Sequence, residues 1–184
     1  ESVSLLAPIF LVFIVTHAFM ILYTVGSRLS MLPTVLGDTA TDLHDSVSTL
    51  GFWPVLLLLL RAYSLGGGTY TGIEAVSNGL PMMRPPQAQT ARRTMKYMAV
   101  SLAVTATGLL VCYLLWKVEP VAGKTMNAVL VERVTAGWPA WMGTGFVLAT
   151  MLAAAALLVV AAQAGVAGGP RVLANMALDS WTPR

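Results

Sequence analysis

The sequence predicts an all-α membrane protein. Of its 184 residues, 57% are hydrophobic and only 10% are charged, whereas about 25% of the residues in a soluble domain are charged. The apolar residues form four stretches of a length suited to crossing about 30 Å of hydrocarbon. Glycines interrupt the second stretch, so we expect one of the four transmembrane helices to be discontinuous. The expected spans are residues 5–25, 52–79 (broken near 66–72), 98–116 and 140–162.

The first span, residues 5–25, carries two polar side chains at membrane depth. Pro8 falls in its first turn, where a missing N–H costs little, and Thr16 and His17 follow. A histidine there can relay protons or bind a ligand, or its imidazole can hydrogen-bond to a neighbouring helix. We favour the hydrogen-bonded role, because a helical bundle offers many partners.

A polar, turn-rich segment, residues 26–51, separates the first span from the second. We expect it to form an exposed acidic loop or a short interfacial helix. Asp42, His44 and Asp45 lie together in it, but no further ligand follows at a metal-binding spacing. We therefore predict neither a metal site nor a cofactor.

The second span is helical by composition as far as Leu65 and then meets a run of glycines. Each glycine costs a helix about 1 kcal/mol relative to alanine, which predicts the break near 66–72. Arg61 interrupts the leucine run, and a charge near the bilayer core costs at least about 2.5–3.5 kcal/mol. We therefore expect Arg61 to face the bundle interior or water, with Glu74 as a candidate partner.

Basic residues predict the topology. The segment 80–97 holds four of them and no acidic residue: Arg84, Arg92, Arg93 and Lys96. Because cytoplasmic loops are enriched in Lys and Arg, we place this loop in the cytoplasm of a multi-pass protein of the inner (plasma) membrane. The lipid bilayer is then a partner. Nucleic acid is not, because no aromatic platform accompanies the basic residues.

Lines of small residues mark the third and fourth spans, and small residues permit close helix approach in a membrane. The lines are Ser101, Thr105, Gly108 and Cys112 in one span, and Gly145, Ala149 and Ala153 in the other. Two short helices are also expected. Residues 125–134 have an apolar side suited to an interfacial helix, and Pro170 is suited to the first turn of a cytoplasmic helix over 170–178.

The glycine break is the candidate binding site. The run Thr71-Gly72-Ile73-Glu74 matches a capping box, in which Thr71 caps a new helix and Glu74 reaches back to it. At membrane depth the break also frees carbonyls near 66–69 for a cation and amides at Gly72 and Ile73 for an anionic group. Glu74 can carry a proton or pair with a cation. Capping and binding roles both remain open.

An enzyme is not predicted. No nucleophile–base pair or cluster of metal ligands stands out, and neither a dinucleotide-binding nor a P-loop glycine pattern is complete. Cys112 is the single cysteine, which excludes an internal disulfide.

The motif Thr-Gly-Ile-Glu-Ala-Val-Ser-Asn-Gly at positions 71–79 resembles the sixth helix of amino acid–polyamine–organocation (APC) superfamily permeases. It looks most like the branch that includes KUP-type potassium–proton symporters. The run Gly-Pro-Arg-Val-Leu-Ala-Asn-Met-Ala at 169–177, with Asp179, resembles the connector after the eighth helix of that family. The resemblance implies a fragment, helices five to eight, of an inverted-repeat (LeuT-like) transporter bundle.

The resemblance also implies proton-coupled uptake of a small solute by alternating access. The solute would be an amino acid or related organocation; the alternatives are K⁺, carried by a KUP-type symporter, and a non-transporting membrane sensor with the same fold. Thr71 and Glu74 would couple transport to the proton or ion, and the remaining helices of the whole transporter would complete the site. The implied substrate-binding residues are Gly67, Gly68, Thr69, Tyr70, Thr71, Gly72 and Glu74.

Overall fold

The structure, a computed structural model, describes residues 2–67, 76, 79 and 83–181, and its regular elements there are helical. The predicted all-α class is thus confirmed. A 3₁₀ turn, Leu29–Met31, joins the first two helices. The helices are α1 (Ser2–Arg28), α2 (Leu32–Leu50), α3 (Phe52–Gly66), α4 (Gln87–Leu115), α5 (Met126–Thr135) and α6 (Ala140–Leu178).

Among the described residues, three helical segments are long and apolar enough to cross a membrane. They are Ala7–Leu50, Gln87–Leu115 and Ala140–Leu178. The expected second span, residues 52–79, is described continuously only as far as Gly67; its first part, α3, is a shorter apolar helix.

The polar segment 26–51 is helical over most of its length, where a turn-rich loop or a short interfacial helix was expected. Apolar residues recur in this segment at helical spacing, which is typical of a helix. The many polar residues between them favoured the prediction of a loop. Pro33 lies in the first turn of α2, and Gly51, with φ at +89°, ends the helix. That backbone conformation favours glycine. Asp42, His44 and Asp45 are all exposed on α2.

α4 begins at Gln87, well before the span expected from residue 98. The helix has 29 residues, or about 43 Å at 1.5 Å per residue, which exceeds the hydrocarbon thickness of about 30 Å. Its first turns can therefore lie outside the hydrocarbon and still be helical. Three of the four basic residues of the expected loop lie on this helix: Arg92, Arg93 and Lys96.

α6 is one helix of 39 residues that continues through Gly165, Gly168 and Pro170. The sequence rules predict a stop there and a separate helix over 170–178. At 1.5 Å per residue, Gly165 lies about 38 Å along α6 from Ala140, so this stretch falls beyond about 30 Å of hydrocarbon if the helix begins at one interface. Local helix propensity does not account for the continuous helix there.

The core lies where α1 packs against α4 and α6, with α5 closing one end. Its fully or nearly fully buried members are Met20, Cys112, Leu130, Val131 and Val134. The short helix expected over 125–134 is α5, begun by Thr125, whose hydroxyl oxygen accepts a hydrogen bond from the amide of Ala128 at 3.2 Å. Its apolar side is buried in this core.

Two glycines allow close approach between helices. A Cβ at Gly108 would lie 2.9 Å from two side-chain atoms of Ile21, and one at Gly143 would lie 3.3 Å from the carbonyl oxygen of Thr135. Gly108 belongs to the predicted small-residue line of the third span. The line predicted in the fourth span is wrong in part, because Gly145 and Ala149 are exposed and only Ala153 is buried. Gly143 and Thr150, on the buried face of α6, take that role.

Candidate functional site

The described part of the candidate site is the end of α3. Gly67 caps the helix with φ −59° and ψ −26°, and its amide donates to the carbonyl of Ser64, which tightens the last turn to a 3₁₀ geometry. The helix therefore ends where the predicted break begins. The other predicted site residues lie outside the described residues, and their roles stay predictions: Gly68, Thr69, Tyr70, Thr71, Gly72 and Glu74.

α3 is little covered by the helices of this chain. It packs mainly against α2, and Val55 is its only buried residue. Arg61 is exposed and forms no ion pair with any described residue. Its predicted partner, Glu74, lies outside the described residues, so that pairing stays a prediction. The structure leaves the Arg61 face of α3 to lipid or to other parts of the whole protein.

His17 is a deeply buried titratable side chain at membrane depth, with 2% of its surface exposed. Its Nδ1 lies 2.9 Å from the carbonyl oxygen of Phe13. Because a carbonyl only accepts, Nδ1 carries the proton and Nε2 is left as an acceptor. Nε2 has no partner among the described residues. The hydrogen bond of His17 thus goes to the preceding turn of its own helix, α1, whereas a bond to a neighbouring helix was expected.

The surroundings of His17 favour its neutral form. The described residues of α1, α4 and α6, which pack together, contain no Asp or Glu. A protonated imidazole there would be a buried charge without a counterion, which is costly. Two other buried polar residues at this interface bond within their own helices: Thr16 to Val12 and Phe13, and Thr150 to Phe146. The hydroxyl of Thr24, which is also fully buried, makes no such bond.

The C-terminal end of α4 holds an arrangement that sequence reasoning missed. Arg28, the last residue of α1, donates from Nη1 to the carbonyl of Leu115 at 3.2 Å, and its guanidinium carbon lies 3.8 Å from the centroid of the Trp116 ring. From α5, Arg133 donates from Nη1 to the carbonyls of Trp116 and Lys117 at 2.9 and 2.6 Å. Cations stabilise a helix C-terminus, but this rule does not predict that two distant arginines share one.

Aromatic side chains pack beside this end of the bundle. The ring of Trp138 lies 5.6 Å from that of Tyr23 and 5.5 Å from that of Phe146, and Phe19 contacts all three. Such ring pairs contribute about 0.5–1.5 kcal/mol each beyond their buried area. These rings therefore form a packed cluster that joins α1 to α6.

An open groove of about 420 Å³ lies between the end of α5 and the first turns of α6. It is lined by Glu132, Thr135, Ala136, Trp138, Ala140, Gly143, Thr144, Val147 and Leu148. The carboxylate of Glu132 is already engaged by Lys124 at 2.6 Å. The described residues that line the groove belong to elements other than α3.

Comparison with known proteins finds one informative similarity. No family model matches the chain, and no solved structure does. The chain is 32% identical over 185 residues to the potassium transporter KimA of Bacillus subtilis (strain 168), a match that covers 100% of this chain and 28% of that protein. The chain thus spans little more than a quarter of the relative's length. The similarity includes the glycine break, and it relates the chain to a membrane transport protein rather than to an enzyme.

Proposed function

We propose that the whole protein containing this chain is a secondary active permease of the APC superfamily and that it takes up K⁺ together with protons. The similarity to KimA along the entire chain carries this proposal. That relative is named a potassium transporter, which favours K⁺ over the amino acid or organocation that the resemblance first implied. This chain would supply helices five to eight of the inverted-repeat bundle.

The end of α3 has the position that a cation site needs. α3 has 15 residues, or about 22 Å of helix, so Gly67 falls within a hydrocarbon layer about 30 Å thick if α3 begins at one interface. Carbonyl oxygens released at such a break can replace the hydration shell of K⁺. We assign the substrate-binding stretch to Gly67, Gly68, Thr69, Tyr70, Thr71, Gly72 and Glu74, as expected from the sequence.

Charge balance explains how Glu74 would couple the two ions. An ionised carboxylate is costly inside the membrane unless a cation accompanies it or a proton neutralises it. The transporter would therefore change its accessible side with K⁺ or H⁺ on Glu74 and resist doing so when the carboxylate is bare. In this scheme the hydroxyl of Thr71, one helical turn before Glu74, adds a neutral oxygen ligand.

The proposal includes an orientation. We place the whole protein in the inner (plasma) membrane with residues 80–97 in the cytoplasm. The first turns of α4 would then carry Arg92, Arg93 and Lys96 on the cytoplasmic side, as the positive-inside rule favours.

Rubidium uptake tests the function. Cells that lack their own potassium uptake systems would express the whole protein, its Glu74→Gln variant or its Glu119→Gln variant, with membrane insertion measured for each. We expect saturable ⁸⁶Rb⁺ uptake that K⁺ competes for and a proton gradient drives. Glu74→Gln should abolish this uptake without loss of insertion. Glu119 is an exposed carboxylate outside α3, so Glu119→Gln should transport normally and serves as the matched control.

Other outcomes would separate the alternatives. Uptake of a labelled amino acid but not of rubidium would replace K⁺ as the solute and keep the permease. Thermal protection by K⁺ without any flux would indicate a non-transporting sensor with the same fold. Normal rubidium uptake by Glu74→Gln would refute the role assigned to Glu74.

A further inference from the structure

Positive charge concentrates at the C-terminal end of α4. Arg28 and Arg133 meet there around three consecutive carbonyls, those of Leu115, Trp116 and Lys117. Lys117 adds a third cationic residue, and a helix C-terminus supplies only about half a negative charge. Of the carboxylates in the adjoining loop and α5, Glu132 is held by Lys124 at 2.6 Å, and Glu119 forms no ion pair with a described residue. The cluster therefore keeps an excess of positive charge that the described residues leave without a counterion.

Both guanidiniums have donors to spare. An arginine presents five N–H groups in a planar fork, which matches the oxygens of a phosphate. The hydrogen bonds that Arg28 and Arg133 make to described residues all start from Nη1. Both side chains are half-buried, and Arg28 is also stacked on Trp116. The contacts to α4 therefore hold each fork in place and leave its other N–H groups for a ligand.

The cluster lies at the level where a membrane has its headgroups. The apolar segment Gln87–Leu115 ends there, and the segment Ala140–Leu178 begins close by, beyond α5. Trp116 is part of the cluster and Trp138 follows Arg133 by five residues, and tryptophan is enriched at the membrane–water interface. Lipid phosphates are concentrated at this level of a membrane, which favours a lipid headgroup over a free anion.

We propose that Arg28 and Arg133 together bind the phosphate of an anionic glycerophospholipid, with Lys117 adding to the attraction. A zwitterionic lipid brings its own ammonium group and is attracted less strongly. Because Arg28 belongs to α1 and Arg133 to α5, and both rest on α4, one headgroup would tie three helices together at this end of the bundle. The proposal does not depend on the transported solute.

Lipid binding to the whole protein tests the proposal with a matched pair of variants. Arg133→Gln removes one positive charge from the cluster. The double variant Lys124→Gln/Glu132→Gln removes both members of an ion pair from the same side of the protein and frees no carboxylate. Native mass spectrometry would count phosphatidylglycerol molecules retained during titration of the delipidated protein, with phosphatidylcholine as the reference lipid. We expect binding to Arg133→Gln to be about tenfold weaker, the effect of losing one charge-assisted hydrogen bond, and binding to the double variant to be unchanged.

Three outcomes would overturn the proposal. Equal retention of phosphatidylglycerol by Arg133→Gln and the unaltered protein would overturn it. So would equal thermal stabilisation by inorganic phosphate and by phosphatidylglycerol, because a free anion would then suffice. If Arg133→Gln does not fold, Arg133→Lys keeps a cation at the α4 carbonyls but lacks the fork. Weaker lipid binding by Arg133→Lys, at an unchanged melting temperature in phosphatidylcholine, supports the proposal, and unchanged binding overturns it.

Discussion

At the scale of single residues, Gly108 sets how closely α4 can approach α1. A Cβ built on it would lie 2.9 Å from both Cδ1 and Cγ2 of Ile21. Real Cβ contacts do not occur at that distance, so an alanine would displace Ile21 or separate the helices. Ile21 packs directly on the core residues around Met20 and Cys112, which leaves it little room to move.

We predict that Gly108→Ala destabilises the folded protein. Overpacking costs about 1–3 kcal/mol, and the better helix propensity of alanine returns up to about 1 kcal/mol, so the net loss should be about 1 kcal/mol. In an Ile21→Ala background the contact is gone, and the same substitution should become neutral or stabilising. The melting temperatures of the four proteins in this double-mutant cycle check the prediction. Additive effects would show that Ile21 is not the obstacle.

Residue chemistry predicted some of these positions and missed others. Gly108 and Cys112 stood out because small residues recurred at helical spacing, and both do lie at the interface with α1. Gly145 fitted a similar pattern, yet a Cβ there would meet nothing within 4 Å. Periodicity shows which residues share a face but not which face is covered, because in a membrane both lipid and protein accept apolar surface. The hydrogen bond of His17 to the carbonyl of Phe13 in its own helix was not predicted either. Sequence spacing does not show whether a polar side chain bonds within its helix or to a neighbouring one.

At the scale of elements, α3 and α6 respond differently to glycine. α3 ends at Gly66, and Gly67 takes a 3₁₀ turn after it. α6 passes through Gly165, Gly168 and Pro170 without ending. Helix propensity alone ranks the α6 stretch with Pro170 as the stronger helix breaker, because proline costs about 3 kcal/mol. Composition alone therefore does not decide the helix ends in this chain, and the predicted short helix over 170–178 is part of α6.

We predict that Gly67→Ala lowers transport without harming the fold. The backbone at Gly67 is right-handed helical, and a Cβ there meets no atom of a described residue within 4 Å, so alanine fits. It should favour continued helix by up to about 1 kcal/mol, which opposes the break that the proposed site needs. Rubidium uptake by the whole protein should fall severalfold, while its melting temperature stays the same or rises.

Gly145→Ala is the matched control for this variant. Gly145 also lies in a helix with open space around it, so the same gain in helix propensity occurs on α6, away from α3. Its transport should be unchanged. Full transport by Gly67→Ala would mean that the glycine at this position is not needed to open the helix.

At the scale of the whole molecule, the chain has a packed side and an open side. α1 contacts α4, α5 and α6, whereas long apolar side chains on α3 and α4 remain more than half exposed, among them Leu57, Leu58, Val104 and Leu110. A soluble protein rarely exposes so much apolar surface. Lipid would cover part of it, and in the proposed permease further helices would cover the rest. The composition of the sequence predicts a membrane protein, but it does not show which apolar side chains contact lipid and which contact other helices.

The orientation of the bundle is the last prediction, and it concerns the molecule as a whole. If residues 80–97 face the cytoplasm, the two ends of α4 lie on opposite sides of the membrane. Gln89, in its first turn, and Val121, after its last, are both exposed.

Cysteine labelling tests this orientation. Gln89 and Val121 would each be replaced by cysteine in a whole protein whose other accessible cysteines have been removed. Cys112 is fully buried and can remain as an internal control that should not react. A membrane-impermeant maleimide should label Val121→Cys on intact cells and Gln89→Cys only after permeabilisation. The reverse pattern would invert the assigned topology, and labelling of both on intact cells would show that α4 does not cross the membrane.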